Sequence, residues 1–582
     1  MTRNFSKLLS LVINPEMTTI NMRKSSNILE YCLSCHSDIR NDSLYVAYKV
    51  CSKCHFHYNL SARERITLLA DKETFNEVNR SLISIDPNRM LYKERLTKDR
   101  QHTGLPEAVV TGTCLIDGTP AALLVMDFGF MSGSIGSVVG EKIALCLEMA
   151  SKKKIPVIAV VSGGGSGVQE GILSLMQMAK TSIAANKLAE KNLPLITILT
   201  NPSTGQIYAS FANLADIILS EPGALMGLSS LRTIADSTES PLPDDVHTAE
   251  FHLRKGHIDK IVNRENLKDI LATLLDLLSS LYTLKPKRKY TKEVKESLKL
   301  PSLTPVKLAK HQNRPTSLDF AVRIFSGFLE LHGDRRSIDD ESMLCGIGFL
   351  GGQSVAVIGQ NGRNIPAGFH KAQRIMKLAA KFNIPLLTLI DTPGPELNLQ
   401  SEEQALGNTI ATTMSLMASL PVPTIATLIG EGGSEGALCI GIADRVLMLE
   451  KAIYSAISPE STAALHKDLK ESSDISEFLK ISASSCKELQ IIDSIVTEPN
   501  GGAHLNPNEA ARYLSRALIH ELAELQLIST NTLLKQRYKK FRQIGEYSSY
   551  LRSAASNEIK ELQSYLLQSV KKITKQKLKK SN

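Results

Sequence analysis

Residues Leu193–Asp216 read LPLITILTNPSTGQIYASFANLAD, and residues Val422–Asp444 read VPTIATLIGEGGSEGALCIGIAD. Each segment begins with a β-rich apolar run, continues through a turn of Gly, Ser and Thr, and predicts a small-residue helix that ends at Ala-Asp. The prolines that open the two segments are 229 positions apart, and so are Pro156 and Pro385 before the preceding strands (385 − 156). Landmarks that stay in register over so many residues indicate a duplicated domain.

The formal net charge of +9 is concentrated in two stretches. Lys285–Lys299 has seven Lys or Arg against two Glu, and Glu546–Asn582 has eight against three, so each stretch contributes +5. The remaining residues then sum to −1, which places the basicity in a linker and a tail. No apolar run reaches the roughly 20 residues that span a bilayer, and no segment resembles a signal peptide. We therefore predict a cytoplasmic protein without a membrane partner.

Four of the nine cysteines form two Cys-x-x-Cys pairs, Cys32 with Cys35 and Cys51 with Cys54, separated by fifteen residues. Each pair can present two thiolates to one ion, and two pairs complete a tetrahedron around zinc. The alternative is a pair of disulfides, which a cytoplasmic location disfavours. Four protein ligands leave no position for a substrate, so we predict one structural Zn²⁺ per chain.

A length of 582 residues is too great for one hydrophobic core. Short apolar runs of strand type alternate with helical patterns around both repeated segments, which predicts an α/β fold. We divide the chain into six predicted regions. They are a flexible arm (1–28), a zinc ribbon (29–58), a first large domain (59–284), a basic linker (285–300), a second large domain (301–545) and a basic helical tail (546–582).

Each repeated segment places a Gly/Ser/Thr turn between a strand and a predicted helix. That geometry directs successive backbone N–H groups and a helix N-terminus at one point, where they stabilise an anion. The anion is either a phosphate or an oxyanion that develops during a reaction. The chain has no G-x-x-x-x-G-K-[ST] loop, no G-x-G-x-x-G with an acidic partner and no supported G-x-S-x-G. The pattern therefore favours backbone oxyanion holes over nucleotide binding or Ser-His-Asp hydrolysis.

Two sets of motifs distinguish the halves of the chain. Besides the four cysteines, the first half contains Phe128–Ser134 (FGFMSGS), Ser174–Ser182 (SLMQMAKTS) and Ser210–Ala212 (SFA). The second half contains Arg314-Pro315, Gly333–Arg335 (GDR), Ile390–Gly394 (IDTPG), Ile429–Leu438, Ile457–Glu460 (ISPE) and Gly501–His504 (GGAH). The first set resembles the β subunit, and the second the α subunit, of the bacterial acetyl-CoA carboxylase carboxyltransferase. The resemblance extends to about Gly545, so the chain looks like a fusion of both subunits.

This resemblance implies two crotonase-like domains in tandem. The helical pattern after Gly502 predicts a C-terminal helical extension. Family members move a carboxyl group from carboxybiotin, borne on a biotin carboxyl carrier protein, to acetyl-CoA and so produce malonyl-CoA. The biotin ureido oxygen and the thioester enolate both develop negative charge, and two holes would serve the two oxyanions. The family's two Gly-Gly pairs fall on Gly205-Gln206 and Glu435-Gly436, which we predict to be the catalytic backbone donors.

The resemblance also implies substrate contacts and partners. Glycines of the neighbouring turns are predicted to bind the substrates: Gly164, Gly165, Gly394, Gly432 and Gly433. Active sites are expected where β-type and α-type halves meet, in at least a homodimer of the chain. A biotin carboxylase is the further partner.

The chain departs from the family at four places. Gln206 and Glu435 each replace one glycine of a pair, although the donor is a main-chain N–H that every residue except proline supplies. A side chain that points away leaves the hole intact, whereas a carboxylate turned into it would oppose the anion. Glycine itself is required where φ is positive or where the ligand approaches closely. Two cationic features are also lost, because Gly167 replaces an arginine and a basic segment is missing before Pro366.

Three hypotheses follow from the sequence. The first is a biotin-dependent carboxyltransferase that acts on acetyl-CoA or a close acyl thioester. The second is a diverged paralogue with an altered thioester substrate or with little or no activity, which the replaced glycines motivate. The third, nucleic-acid binding through the ribbon, linker and tail, is disfavoured because the ribbon lacks its own basic-aromatic surface pattern.

Overall fold

The structure is a computed structural model that describes residues 30–84, 90–165, 167–229, 231–238, 240–286, 303–457 and 479–545. The predicted arm at 1–28, most of the linker at 285–300, the tail at 546–582 and most of the ISPE motif lie outside these residues. The chain divides into two compact units at Lys535, and every site discussed below belongs to the first unit. Within the described ranges, no helix is both long and apolar enough to cross a bilayer.

Sixteen strands lie in the described residues. They are β1 (Asn76–Val78), β2 (Val109–Ile116), β3 (Thr119–Met126), β4 (Val157–Gly163), β5 (Leu195–Thr204), β6 (Ile217–Ser220), β7 (Met226–Gly227), β8 (Lys260–Ile261), β9 (Ser326–Glu330), β10 (Met343–Leu350), β11 (Gln353–Gln360), β12 (Leu386–Thr392), β13 (Thr424–Gly433), β14 (Arg445–Leu449), β15 (Ile453–Ser455) and β16 (Ser494–Val496). The α/β architecture predicted from the sequence is confirmed.

The same residues contain eighteen α-helices. They are α1 (Ser43–Tyr48), α2 (Ala62–Leu69), α3 (Met90–Thr103), α4 (Ser137–Lys153), α5 (Ile172–Ala189), α6 (Gly205–Tyr208), α7 (Leu231–Ser237), α8 (Ala249–Arg254), α9 (Leu267–Ser279), α10 (Leu303–Ala309), α11 (Ser317–Ile324), α12 (Pro366–Phe382), α13 (Leu399–Glu403), α14 (Leu406–Ser419), α15 (Ser434–Leu438), α16 (Ala483–Glu488), α17 (Pro507–Leu525) and α18 (Thr530–Arg542). Helix α2 begins at a capping box formed by Ser61 and Glu64.

The strands form two eight-stranded sheets with one strand order. The first sheet runs β1-β2-β3-β4-β5-β6-β8, with β7 paired to β5, and the second runs β9-β10-β11-β12-β13-β14-β16, with β15 paired to β13. In each sheet an antiparallel hairpin, β2–β3 or β10–β11, is followed by parallel strands. These parallel strands are almost wholly buried, which explains their continuous apolar sequences.

The duplication is also visible in the register of the strands. The register shifts between the fourth and fifth strands of both sheets, between β4 and β5 and between β12 and β13. After the shift, Gly163 lies opposite Ser203, and Thr392 lies opposite Gly432. Both pairs keep the 229-residue offset found in the sequence (392 − 163 and 432 − 203).

The prediction that one helix follows each turn and reaches Asp216 or Asp444 is wrong. Strands β5 and β13 extend further than expected, because their last residues pair with β7 and β15. The helices that follow have only four and five residues, and a 3₁₀ turn at Phe211–Leu214 completes the first segment. A short helix has a weak dipole, so the individual N–H groups of the turns carry more weight than predicted.

Four aspartates, two in each half of the chain, have structural roles. Asp216, Asp259, Asp444 and Asp493 each accept a hydrogen bond from a backbone N–H at or near the start of a neighbouring strand, at 2.6 to 3.0 Å. They hold the ends of parallel strands together, which explains why the motifs recur in both halves. We therefore exclude them from the candidate catalytic residues.

Ion pairs connect elements of the two halves within one chain. Arg374 on α12 lies 2.7 Å from the carboxylate of Asp259, which also pairs with Arg335. Lys381, at the end of the same helix, contacts Asp216 at 2.6 Å. Three cations of the second half thus neutralise two carboxylates that already bind strand ends of the first.

A buried carboxylate connects the four-cysteine region to the first sheet. Glu221, directly after β6, accepts from Arg65 on α2 at 2.8 Å and from Arg264 at 2.7 and 2.8 Å. Arg264 also donates to the carbonyl oxygens of Tyr48 and Tyr58, at 2.7 and 2.9 Å, which flank the second cysteine pair. Although burial opposes ionisation, the two guanidinium groups hold the pKa of Glu221 well below its usual range.

Candidate active site

The first candidate turn is built from the ends of β4 and β5. The segment after β4 is fixed by the Gly164 N–H, which donates to the carbonyl of Ser132 at 2.8 Å. Gly165 and Gly205 face each other with φ of +106° and +68°. A Cβ on Gly205 would lie 2.9 Å from the Gly165 Cα, closer than the 3.4–4 Å of an ordinary contact. Both backbone shape and space therefore require glycine at 205.

The second candidate turn repeats this arrangement at the ends of β12 and β13. Gly394, with φ of +130°, lies between two prolines and packs against Ser434, which takes the left-handed conformation at φ of +56°. A Cβ on Gly436 would lie 2.9 Å from the Cδ of Pro395. Gly436 must therefore be glycine because of packing, whereas Ser434 shows that the left-handed position admits a side chain.

The predicted donors leave their backbone N–H groups unpaired. In the described part of the chain, no group accepts a hydrogen bond from the N–H of Gly205, Gln206, Glu435 or Gly436. These residues begin α6 and α15, where the residues four positions earlier belong to strands and offer no helical acceptor. Each turn therefore presents free donors, as an oxyanion hole requires.

The two replaced glycines occupy equivalent positions. Ser203 and Gly432 occupy equivalent register positions in the two sheets. Gln206 and Glu435 each lie three residues later, so they are equivalent as well and also 229 residues apart. Neither residue has a positive φ, so neither position needs the conformational freedom of glycine. The two glycines that close packing does require, Gly205 and Gly436, are retained.

Both replaced side chains have partners outside the N–H donors. The Gln206 side-chain oxygen lies 3.3 Å from the hydroxyl of Ser174 on α5, which donates its one proton chiefly to the carbonyl of Ile135 at 3.0 Å. The Glu435 carboxylate accepts from the hydroxyl of its neighbour Ser434, and the residue is exposed. Its charge is therefore solvated, which weakens its action on an anion at the turn.

Buried titratable groups surround the turns. Beside the first, the His252 ring donates through Nε2 to the carbonyl of Met226 in β7 at 2.9 Å, and its Nδ1 lies 2.9 Å from Nδ1 of His257. Burial, assisted by His257, lowers the pKa of His252 to about 4, so it is neutral at pH 7. Beside the second, burial raises the pKa of Asp391 to about 6, and its carboxylate accepts from the N–H of Glu431 at 2.8 Å.

The four cysteines predicted to bind metal converge on one point. Their Sγ atoms all lie within 4.8 Å of one another, with Cys32 to Cys54 at 3.6 Å and Cys35 to Cys51 at 3.8 Å. A zinc ion with four thiolates at about 2.3 Å requires sulfur separations of about 3.8 Å, whereas a disulfide requires about 2.05 Å. All four are free thiols. The donor set therefore fits a tetrahedral zinc ion and does not fit the disulfide alternative.

The remaining predicted binding glycines separate into two groups. Gly164, Gly165 and Gly394 lie in the turns beside the donors, whereas Gly432 and Gly433 are buried residues of β13. A Cβ on Gly432 would meet Leu428, and one on Gly433 would meet Pro393, so these two have packing roles of their own.

Sequence reasoning missed three residues that shape the turns: Ser174, Pro395 and Gln360. Pro395 gives no distinctive local signal, and Ser174 opens the motif SLMQMAKTS, which does not indicate the contact of Ser174 with Gln206. Gln360 does give a signal, because it is a polar residue directly after the apolar run Val355–Gly359.

Comparison with known proteins decides the family. Residues 257–545 match the family model described as acetyl co-enzyme A carboxylase carboxyltransferase-like. The chain is 39% identical to the acetyl-coenzyme A carboxylase carboxyl transferase subunits beta/alpha of Natranaerobius thermophilus, over 93% of this chain and 97% of that one. The chain belongs to this family. A second fused beta/alpha member, from Clostridium tetani, is also 39% identical, over 89% of this chain and 93% of its own length.

Solved structures agree on the fold of this carboxyl transferase family member. The transcarboxylase 12S structure matches with a TM-score of 0.66 at 21% identity, over 79% of this chain and 89% of that one. A single-chain, multi-domain long-chain acyl-CoA carboxylase matches with a TM-score of 0.61 at 17% identity, over 78% of this chain and 45% of that one. At these identities the likeness establishes the carboxyltransferase-type α/β fold alone.

Proposed function

We propose that the chain is the carboxyltransferase component of an acetyl-CoA carboxylase. It would move a carboxyl group from carboxybiotin on a carrier protein to acetyl-CoA and yield malonyl-CoA. In that reaction the bond between the biotin nitrogen and the carboxyl carbon breaks, and a new carbon–carbon bond forms at the acetyl methyl group. The methyl group loses a proton, and the freed biotin nitrogen gains one. The observation that carries the proposal is the set of unpaired N–H groups at two equivalent turns, in a chain of this family.

Each turn would stabilise one of the two oxyanions. The donors are the N–H groups of Gly205 and Gln206 for one oxygen, and those of Glu435 and Gly436 for the other. Preformed backbone donors are already oriented when charge develops, which is why such groups lower a barrier. Gly164, Gly165 and Gly394 would line the substrates beside the donors, and Gly432 and Gly433 would keep the second turn in place.

The domain boundaries that the sequence predicts are part of this proposal. We place two crotonase-like domains in tandem at 59–284 and 301–545, with the zinc ribbon at 29–58 and a helical extension that continues into the tail. Zinc at Cys32, Cys35, Cys51 and Cys54 would supply a structural crosslink, since all four ligands come from the chain. The nine free cysteines suit the cytoplasm, where thiols stay reduced.

The partners proposed are a biotin carboxyl carrier protein, a biotin carboxylase and a second copy of this chain. Two groups of exposed apolar side chains lie beside the two turns and support the homodimer. One is on α5, next to Ser174, and comprises Ile172, Leu173, Met176 and Ile183; the other comprises Leu397, Leu399 and Leu438. Apolar patches of this kind mark protein interfaces. A dimer in which the β-type half of one copy faces the α-type half of the other would bury both.

The test is the reverse reaction with free substrates. Zinc-loaded protein should consume malonyl-CoA in the presence of biocytin, and no consumption by a folded sample would overturn the proposal. Sedimentation of the same sample should give a dimer, and Ile183→Asp on the exposed face of α5 should shift it toward the monomer.

A different acyl thioester is the second candidate substrate, favoured by the absence of the family arginine at Gly167. A phosphorylated acyl carrier such as CoA normally meets cations, and this site has lost two cationic features. Parallel assays with malonyl-CoA and with malonyl groups on an acyl carrier protein distinguish the candidates. Faster turnover of the carrier-bound substrate would favour the second.

A further inference from the structure

A chain of buried polar side chains leads from the second turn into the second half of the molecule. Gln360, the last residue of β11, is fully buried. Its Nε2 donates to the carbonyl oxygen of Gly436 at 2.8 Å and to Oδ1 of Asn364 at 2.9 Å. Asn364 is also fully buried and donates to the Ser342 hydroxyl at 2.8 Å, which donates to Asp340 at 2.6 Å. One predicted donor residue is thus connected to four polar side chains in series.

The orientation of the Gln360 amide is fixed by these contacts. A carbonyl oxygen can only accept, so the atom that faces Gly436 must be the nitrogen. The amide oxygen of Gln360 is buried and finds no hydrogen-bond partner among the described residues. The Gln360 amide group therefore uses both of its N–H donors, while its oxygen accepts no hydrogen bond from the described residues. This indicates that the hydrogen bond to Gly436 determines the orientation of the Gln360 side chain.

Gly436 is held from two sides. Gln360 binds its carbonyl, and Pro395 packs against its Cα, where a Cβ would lie 2.9 Å from the proline ring. Helix α15 has only five residues and cannot orient itself by its own hydrogen bonds. Its direction depends on these external contacts, and with it the direction of the free N–H groups of Glu435 and Gly436.

Among the described residues, the first turn has no matching amide contact, because β3 contains no Asn or Gln. Strand β11 matches β3, because Ala356 pairs with Leu386 as Ala122 pairs with Val157. The equivalent of Gln360 is therefore Met126, an apolar residue four positions after Ala122. The amide contact is therefore specific to the second turn and does not follow from the fold alone.

We propose that Gln360 is a positioning residue of the second oxyanion hole, which it fixes through its hydrogen bond to the Gly436 carbonyl. This inference rests on the proposed carboxyltransferase function. A displaced α15 would misdirect two donors without removing them. Loss of the contact should therefore lower kcat and leave acyl-thioester binding nearly unchanged.

Strand β11 offers a matched control, because it begins and ends with a buried glutamine. Gln353 lies at the opposite end, where its side-chain oxygen accepts from the N–H of Leu284 at 2.9 Å. Gln360→Leu should lower kcat by about 10- to 100-fold and change KM for malonyl-CoA by less than about threefold. Gln353→Leu should lower the Tm by about as much as Gln360→Leu does, and it should retain the wild-type kcat.

A second variant separates positioning from stability and serves if Gln360→Leu does not fold. Gln360→Glu keeps the shape, but its ionised carboxylate cannot donate to Gly436, whereas its protonated form can donate one bond. Its kcat relative to wild type should therefore rise as the pH falls across about pH 8 to 5, because burial raises the pKa of a carboxyl group. The ratio for Gln353→Glu should stay constant.

The outcomes separate this inference from the proposed function. Absence of wild-type turnover would overturn both. Wild-type turnover with equal kcat losses in the Gln360 and Gln353 variants, or with a pH-independent ratio for Gln360→Glu, would overturn the positioning role alone.

Discussion

Adding one methyl group at Gly205 should damage catalysis far more than it damages folding. Gly205 has φ of +68°, and a Cβ there would lie 2.9 Å from the Gly165 Cα, about 0.5 Å inside ordinary contact at 3.4 Å. The left-handed conformation costs an alanine about 1–2 kcal/mol. Relief of the clash requires the segments after β4 and β5 to separate by about 0.5 Å, which displaces the predicted donors at Gly205 and Gln206. Since misplacement of about 1 Å can cost about 100-fold, we expect kcat to fall by about 30- to 100-fold.

Gly118→Ala is the control for this prediction. Gly118 has φ of +76°, but it lies in the β2–β3 turn, and a Cβ there would meet nothing within 4 Å. Both variants should lose about 1–2 kcal/mol of unfolding free energy in denaturant titrations. Only Gly205→Ala should lose malonyl-CoA turnover with biocytin. A wild-type kcat in Gly205→Ala, or equal losses of kcat in both variants, would refute the role of the first turn.

Three further predictions concern stability. Glu221→Gln should lower the unfolding free energy by about 3–5 kcal/mol, because it leaves the buried Arg65 and Arg264 without a counter-ion, whereas the exposed Glu73→Gln should not. As pH falls from 7 to 5, protonation of His252 should lower the unfolding free energy of the wild type by about 2 kcal/mol. The pKa of His252 is about 4 in the folded state and about 6.5 in the unfolded state, so the unfolded state binds the proton first. In denaturant titrations at each pH, His252→Gln should remove this contribution to the pH dependence of the unfolding free energy. The control His102→Gln, at an exposed position, should not remove it. Elemental analysis should find one zinc per chain, and Cys54→Ser should lose the zinc and lower the Tm; an unchanged Tm would contradict a structural role.

Much of the fold is readable from local sequence pattern. The strand around Pro156–Ser162 and its counterpart after Pro385 are continuous apolar runs because both faces of a central parallel strand are covered. The 229-residue repeat predicted two units of one topology, and the cysteine spacing predicted a cluster whose geometry suits zinc. These features depend on residues close together in the chain or on an exact repeat.

The features that the sequence did not disclose depend on contacts between distant segments. The pairing of Ser203 with Met226 turns predicted loop residues into strand and shortens the following helix. A sequence cannot show that Gln206 is held by Ser174 on a helix 32 residues earlier. Nor can it show that Glu435 needs no positive φ, whereas Gly436 is required by packing against Pro395.

The central claim is that both oxyanion holes persist although Gln206 and Glu435 replace glycines. The most direct test compares kcat of the zinc-loaded wild type with that of the Gln206→Gly/Glu435→Gly variant, measured as malonyl-CoA consumption with biocytin. We predict turnover by the wild type and a change of less than about threefold on reversion, because the N–H donors are present in both proteins. An inactive wild type that gains about 100-fold or more on reversion would contradict the claim.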